Sequence, residues 1–283
     1  MIGIDRQDYY KTIYRRKEKI NIAEQVIELV NNIRIQMPRL GTRKLHYMLS
    51  EQLKALKVGR DKLFKILKAN HLLISPKRQY HVTTNSHHRF KKHKNRVEHL
   101  EINRPEQVWV ADITYLGNRS NPMYLALVTD AYSKKIMGYD VSNSLSTQGS
   151  ANAMDMAIKN RYYLENKEKS LIHHSDRGLQ YCSAQYQDIL NKYQINCSMT
   201  EKYDPYQNAV AERINGILKQ EFIGETIIED LGLMKKFIQE SVHIYNQNRP
   251  HFSNFYLTPN QMHLQKEVQM RTYKYKMEHQ LAC

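Results

Sequence analysis

Asp112, Asp176 and Glu212 are acids set where carboxylates can hold divalent cations for phosphodiester chemistry. Acids make up 28 of 283 residues, so spacing alone selects nothing, and the local contexts carry the inference. Asp112 ends the run VWVAD (108–112), in which Val108 and Val110 alternate with Trp109 and Ile113 follows, the pattern of a buried strand. Asp176 closes LIHHSD (171–176), an apolar run stopped by Arg177-Gly178, which reads as a strand whose last residue points into a cleft. Glu212 falls mid-helix in AVAERINGILKQEF (209–222). At about 3.6 residues per turn it shares a face with Asn208, Asn215 and Lys219. Val210, Ile214, Ile217 and Leu218 fall on the opposite face, with Glu221 intruding near the end.

Taken singly, each acid reads as readily as a solvated or salt-bridged carboxylate at a strand end or on a helix surface. Three in one cleft repel one another, and neutral pH tolerates that only when protons or cations neutralise them. Carboxylate oxygens suit Mg²⁺ or Mn²⁺, and two such ions about 3.5–4 Å apart activate an attacking oxygen and stabilise the leaving one. The expected ligands of two Mg²⁺ ions are Asp112, Asp176 and Glu212, with Lys219 holding a phosphate beside them.

The elements that must position these acids follow from pattern. Residues 107–117, 123–133 and 136–142 read as a three-strand antiparallel meander, with turns at 118–122 and 133–135. A helix over 146–164 capped by Ser146 or Thr147, a strand at 171–176, a helix at 183–193, a strand at 196–200 and the Glu212 helix follow. That order gives an α/β fold, a mixed ribonuclease H-like sheet with helices on its faces. Asp130 and Asp140 compete for the site, Asp130 one strand over from Asp112, but Ala131-Tyr132-Ser133 begins a turn.

Before this core, residues 18–36, 40–53 and 60–73 carry helical apolar stripes, and the last two, joined at Lys57-Val58-Gly59, read as a helix-turn-helix or a small packing bundle. Arg60, Lys62 and Lys65 would then face DNA. Residues 77–96 hold seven Lys/Arg, four His and no acid, an extended linker suited to a phosphate backbone. Its candidate DNA contacts are Lys77, Arg78, Arg89, Lys91, Lys92, Lys94 and Arg96, joined in the core by Arg177, Asn208, Asn215 and Lys219. The expected domains are 1–75, the linker 76–104, the core 105–223, and a helical subdomain with tail over 224–283. In that last part Arg249-Pro250-His251 either meets DNA or caps a packing subdomain.

A balance of 43 Lys+Arg against 28 Asp+Glu, net +15, makes nucleic acid the expected partner. No apolar run approaches the roughly 18 residues that span a bilayer, and MIGIDRQDYYK has no signal-peptide core, so the expected place is the cytosol. Cys182, Cys197 and Cys283 are too few and too scattered for a disulfide framework or a cysteine zinc site, and the 13 histidines form no ligand pattern with them.

These motifs resemble the second-reading-frame protein of insertion-sequence-3 family transposases, which has a retroviral-integrase-like core. The likeness runs from about Gly41 to His263 through WVADITYL, HHSDRGLQY, SMTEKYDPYQNAVAE, Lys219, and YNQNRPH with LTPNQMH. Two positions depart from the family: Tyr203 replaces its usual glycine, and Gln207-Asn208 its Asp-Asn pair. The resemblance implies cleavage at element ends and direct attack of the freed 3′-OH on phosphodiesters. It also implies a frameshift fusion with an upstream-frame partner protein, and a homo-oligomer on double-stranded DNA. Two other readings share these residues: a DNA-binding regulator in which the acids only stabilise a fold, and a nuclease that hydrolyses without joining.

Overall fold

A computed structural model describes residues 5–75, 93–117, 121–162, 170–201, 208–224 and 226–265. The chain falls into two compact units, Met1–Lys77 and Arg78–Cys283.

The first unit is helical: α1 (Arg6–Gln36), α2 (Thr42–Met48), α3 (Ser50–Ala55) and α4 (Arg60–Ala69). Val26, Val30, Leu40, Leu45, Leu53, Leu63 and Leu67 form its core. Helix α1 begins well before the expected residue 18, capped by Asp5, which accepts from the Gln7 N–H. Residues 6–17 carry almost no buried side chain, so no apolar stripe announced them. The helix expected over 40–53 breaks at Leu49, whose ψ of 18° separates α2 from α3.

The second unit is built on five strands, β1 (Val108–Gly117), β2 (Pro122–Asp130), β3 (Ile136–Ser142), β4 (Ile172–Ser175) and β5 (Asn196–Met199), in the order β3-β2-β1-β4-β5. The first three pair antiparallel; β4 lies parallel to β1, and β5 parallel to β4. This is the mixed ribonuclease H-like sheet.

Alternation along β1 sends its residues to two faces. Trp109, Ala111 and Ile113 join a core with α5 (Thr147–Lys159), α6 (Leu179–Cys182) and α7 (Ala184–Lys192). The glycine at 138 lets α5 approach, since a Cβ there would stand 2.0 Å from the Ala153 carbonyl. Val108 and Val110 face the other side, where Ala211 and Val210 of α8 (Ala209–Ile217) and Val97, Leu100 and Ile102 cover them. After α8 come a π-helical turn at Leu218–Ile223, α9 (Leu231–Gln247), and α10 (Pro259–His263), opened by a capping box of Thr258 and Gln261.

Among the described residues no helix is long and apolar enough to cross a membrane, and Cys182 and Cys197 are buried cysteines outside any disulfide.

Candidate active site

Asp112 lies in the middle of β1, at its crossing with α8. The Asn215 amide donates from Nδ2 to Asp112 Oδ2 at 2.8 Å, and the Ile113 N–H donates to Oδ1 at 2.9 Å. Burial and the nearby Asp176 charge push the Asp112 carboxyl up to about 7, the Asn215 and Ile113 bonds oppose that rise, and Glu212 adds a smaller repulsion. Asp176 stands just past the end of β4, and its Oδ1 accepts from the Gly178 N–H at 3.0 Å. The parallel pairing of β1 with β4 brings these two acids together, because strand β4 ends at Ser175 opposite Ala111.

Glu212 is exposed and sits in the first turn of α8 rather than mid-helix, and burial alone raises its carboxyl. Lys219, in the π-turn, reaches Thr114 Oγ1 with its Nζ at 3.5 Å; burial lowers its ammonium and Asp112 works in the opposite direction. Asp112 and Asp176 thus form the close pair, and Glu212 stands at its edge. Among the described residues no three His, Cys, Asp or Glu groups close up enough to hold an ion by themselves. The donor chemistry nonetheless fits a hard divalent cation: a carboxyl held near 7 beside a second carboxylate needs positive charge to stay ionised.

The face of α8 differs from the helical-wheel expectation. Asn208 and Asn215, expected on the open side with Glu212, are 6% and 4% exposed and turned to β1, with Asn208 Nδ2 donating to the Ala111 carbonyl at 3.1 Å. As DNA contacts they are therefore corrected: both are buried, and their Nδ2 groups donate to the strand. Ala211, Ile214, Leu218 and Phe222 bury alongside them, and that stripe was the available signal that Asn215 points inward.

Arg60, Lys62, Lys65, Lys94 and Arg96 are exposed, and Arg177 is half-buried. Lys77, Arg78, Arg89, Lys91 and Lys92 lie outside the described residues, as do Tyr203 and Gln207. Asp130 does not border the carboxylates: it is fully buried, accepting from the Glu106 N–H at 2.7 Å and the Ser133 N–H at 2.7 Å. Nor does Arg249 reach outward. It is 1% exposed and donates to both Glu221 oxygens at 2.8 Å, against the Tyr245 ring. Neither role was visible in the sequence, where nothing marks a partner so distant along the chain.

The five-stranded mixed sheet in the order β3-β2-β1-β4-β5, with helices on its faces, is that of the integrase-core class of polynucleotidyl transferases. Models of the integrase core domain match residues 102–205 and 193–259. The 31 kDa protein of insertion element IS600 from Shigella sonnei is 31% identical over 256 residues, covering 89% of this chain and 92% of that one. Transposase InsF of insertion sequence IS3A from Escherichia coli K12 is 38% identical over 125 residues, 44% of this chain and 42% of that one. The chain belongs to the insertion-sequence-3 family of transposases. Among solved structures, the simian T-cell lymphotropic virus intasome aligns over 82% of this chain and 77% of its own with 17% identity and a TM-score of 0.49. The HTLV-2 integrase core domain in complex with magnesium covers 56% of this chain and 97% of its own at 20% identity, with a TM-score of 0.44.

Proposed function

We propose that this transposase cuts DNA at the ends of its element and joins the freed 3′-OH to a phosphodiester, with Asp112, Asp176 and Glu212 as the catalytic carboxylates. The observation that carries the reading is that the parallel pairing of β1 with β4 sets Asp176 beside Asp112, where burial and Asp176 push the Asp112 carboxyl up to about 7. A carboxyl kept that far from its ordinary range beside a second carboxylate is one that positive charge would stabilise in its ionised form. Asp112 and Asp176 would hold two Mg²⁺ ions with Glu212 as the third donor, and the ions would supply an activated attacking oxygen and charge stabilisation at the leaving one.

The protein's own groups do the positioning. Ile113 and Asn215 fix Asp112, Gly178 fixes Asp176, and α8 carries Glu212 on its solvent side, where a duplex can approach. Lys219, held over Thr114 beside Asp112, would offer its ammonium to a DNA phosphate, and half-buried Arg177, next to Asp176 in the chain, would add a second cation. The basic segment 77–96 and the exposed face of α4 with Arg60, Lys62 and Lys65 would track the backbone, in keeping with the net charge of +15. In this reading residues 1–75 bind DNA, 105–223 catalyse, and the protein works in the cytoplasm as a homo-oligomer on DNA, fused to an upstream-frame partner.

The test is nicking and strand transfer on duplex DNA carrying the element's ends, with Mg²⁺ or Mn²⁺ at low salt, comparing wild type with Glu212→Gln. Metal-dependent branched products that the variant fails to make are expected. Nicks without joined product point to a hydrolytic nuclease. Specific binding that persists in EDTA, without cleavage even when the upstream partner is fused, overturns the enzymatic reading.

A further inference from the structure

Asn215 lies three residues beyond Glu212, in a stripe of α8 and the π-turn whose other members, Ala211, Leu218 and Phe222, are apolar and buried. It is 4% exposed, yet it spends a donor on Asp112 Oδ2 at 2.8 Å while its own Oδ1 is buried with no hydrogen-bond partner among the described residues. A buried amide left half-satisfied costs stability, and an aliphatic side chain in the same stripe would avoid that cost. Packing therefore gives no reason for an asparagine here. The carboxylate does, because the two bonds divide its oxygens between two elements: strand β1 holds Oδ1 through the Ile113 N–H, and α8 holds Oδ2. A carboxylate pinned at both oxygens does not rotate about its χ2 bond, and each oxygen keeps a lone pair for a cation.

We propose that Asn215 is a positioning residue that fixes the Asp112 carboxylate in the orientation that receives a divalent cation, and thereby also fixes how far Glu212 stands from it. The inference rests on the metal-dependent reading above and goes one step further, to the group that orients the ligand. Partners of this kind, one bond away from a ligand, typically change metal affinity about 10–100-fold when removed.

Calorimetric titration of the full chain with Mn²⁺ alone, without DNA, separates the possibilities. Asn215→Ala is expected to bind Mn²⁺ at least tenfold more weakly than wild type, and Asp112→Asn to lose binding. Asn215→Ser, whose hydroxyl is too short to span the same gap, is expected to behave like the alanine variant and serves if that one does not fold. Asn246→Ala is the control for a purely structural amide: Asn246 staples α9 to β3 by bonding both the N–H and the carbonyl of Ile136, away from the carboxylates. It should lower the melting temperature and keep wild-type Mn²⁺ affinity. Affinity within twofold of wild type in a folded Asn215 variant, with Asp112→Asn still unable to bind, overturns the inference alone. Equal binding by wild type and Asp112→Asn overturns the metal reading beneath it. If neither Asn215 variant folds, the residue is structural and the inference also falls.

Discussion

The Asp112 carboxyl is raised because burial and Asp176 disfavour its charged form more than Asn215 and Ile113 favour it. Its folded pKa of about 7 lies above the ordinary value of 3.8, so the native state binds the extra proton. The associated stability is complete below about pH 4 and is lost as pH rises through about 7. Asp112→Asn is neutral throughout. In metal-free buffer at pH 7.5 it should therefore melt above wild type, with the gap closing as pH falls toward 4, and Mg²⁺ should raise the wild-type melting temperature while leaving the variant unmoved. Parallel wild-type and variant curves across that pH range would remove the case for a strained carboxyl. The three acids were legible because a strand pattern, a Gly-terminated strand and a helix surrounded them. Asn215 was not, because the wheel grouped it with Glu212, three residues earlier, and not with the buried stripe of Ala211, Leu218 and Phe222.

Between elements, the segment that carries Glu212 and Lys219 is anchored at two points. Asn208 and Asn215 tie α8 to β1, and the π-turn presents Glu221 to Arg249 at the end of α9. A π-turn adds a residue to the local ring and so shifts the register of everything after it, and 3.6-residue counting cannot foresee that shift. Removing Arg249 takes two charge-assisted bonds from part-buried Glu221. Arg249→Met should thus cost about 3–5 kcal/mol, and Glu221→Leu added to it should recover much of the loss. Urea denaturation of the single and double variants checks both. Strand starts were legible from alternation and turn residues, although β2 ends at Asp130 and not at 133, whereas α1 outran its signal because its first turns bury nothing. On α4, Arg60, Lys62 and Lys65 are exposed. Replacing all three by Gln should flatten the slope of log affinity against log salt for duplex DNA by up to about 3, at about 0.9 for each phosphate no longer neutralised. An unchanged slope would take that face out of the interface.

Across the whole second unit, charges buried far from the carboxylates decide how the sheet is closed. Glu106 and Asp130, 2% and 0% exposed, meet His263 at the end of α10: its Nε2 is 3.5 Å from Glu106 Oε1, and its Nδ1 is 2.9 Å from Ser133 Oγ, which itself donates to Asp130 Oδ1. Arg161 Nε adds a bond to Glu106 at 3.2 Å, and Asn254 donates to the Ser133 carbonyl. Burial pushes the imidazole down, but Asp130 and Glu106 outweigh it, so the folded pKa lies above the ordinary 6.5; Lys135 opposes them slightly. Stability from this imidazolium is full below about pH 6.5 and lost as pH rises through its folded value. His263→Gln should melt lower than wild type at pH 6, with the difference shrinking at higher pH, and a constant difference would mean the imidazole is neutral in the fold. Sequence could not supply this network, because its members are spread from Glu106 to His263 and each looks like an ordinary surface residue.

The staple of Ser133 to His263 joins residues 130 positions apart, and a ribosome makes them in that order. Glu106, Asp130 and the acids Asp112, Asp176 and Glu212 have emerged well before the imidazole that faces the buried pair. A nascent chain stopped after Ile223 holds Asp112, Asp176 and Glu212 but leaves Asp130 and Glu106 without the His263 imidazole, and Glu221 without Arg249. Translation must therefore pass α10 before the sheet that carries these carboxylates has all of its buried charge pairs.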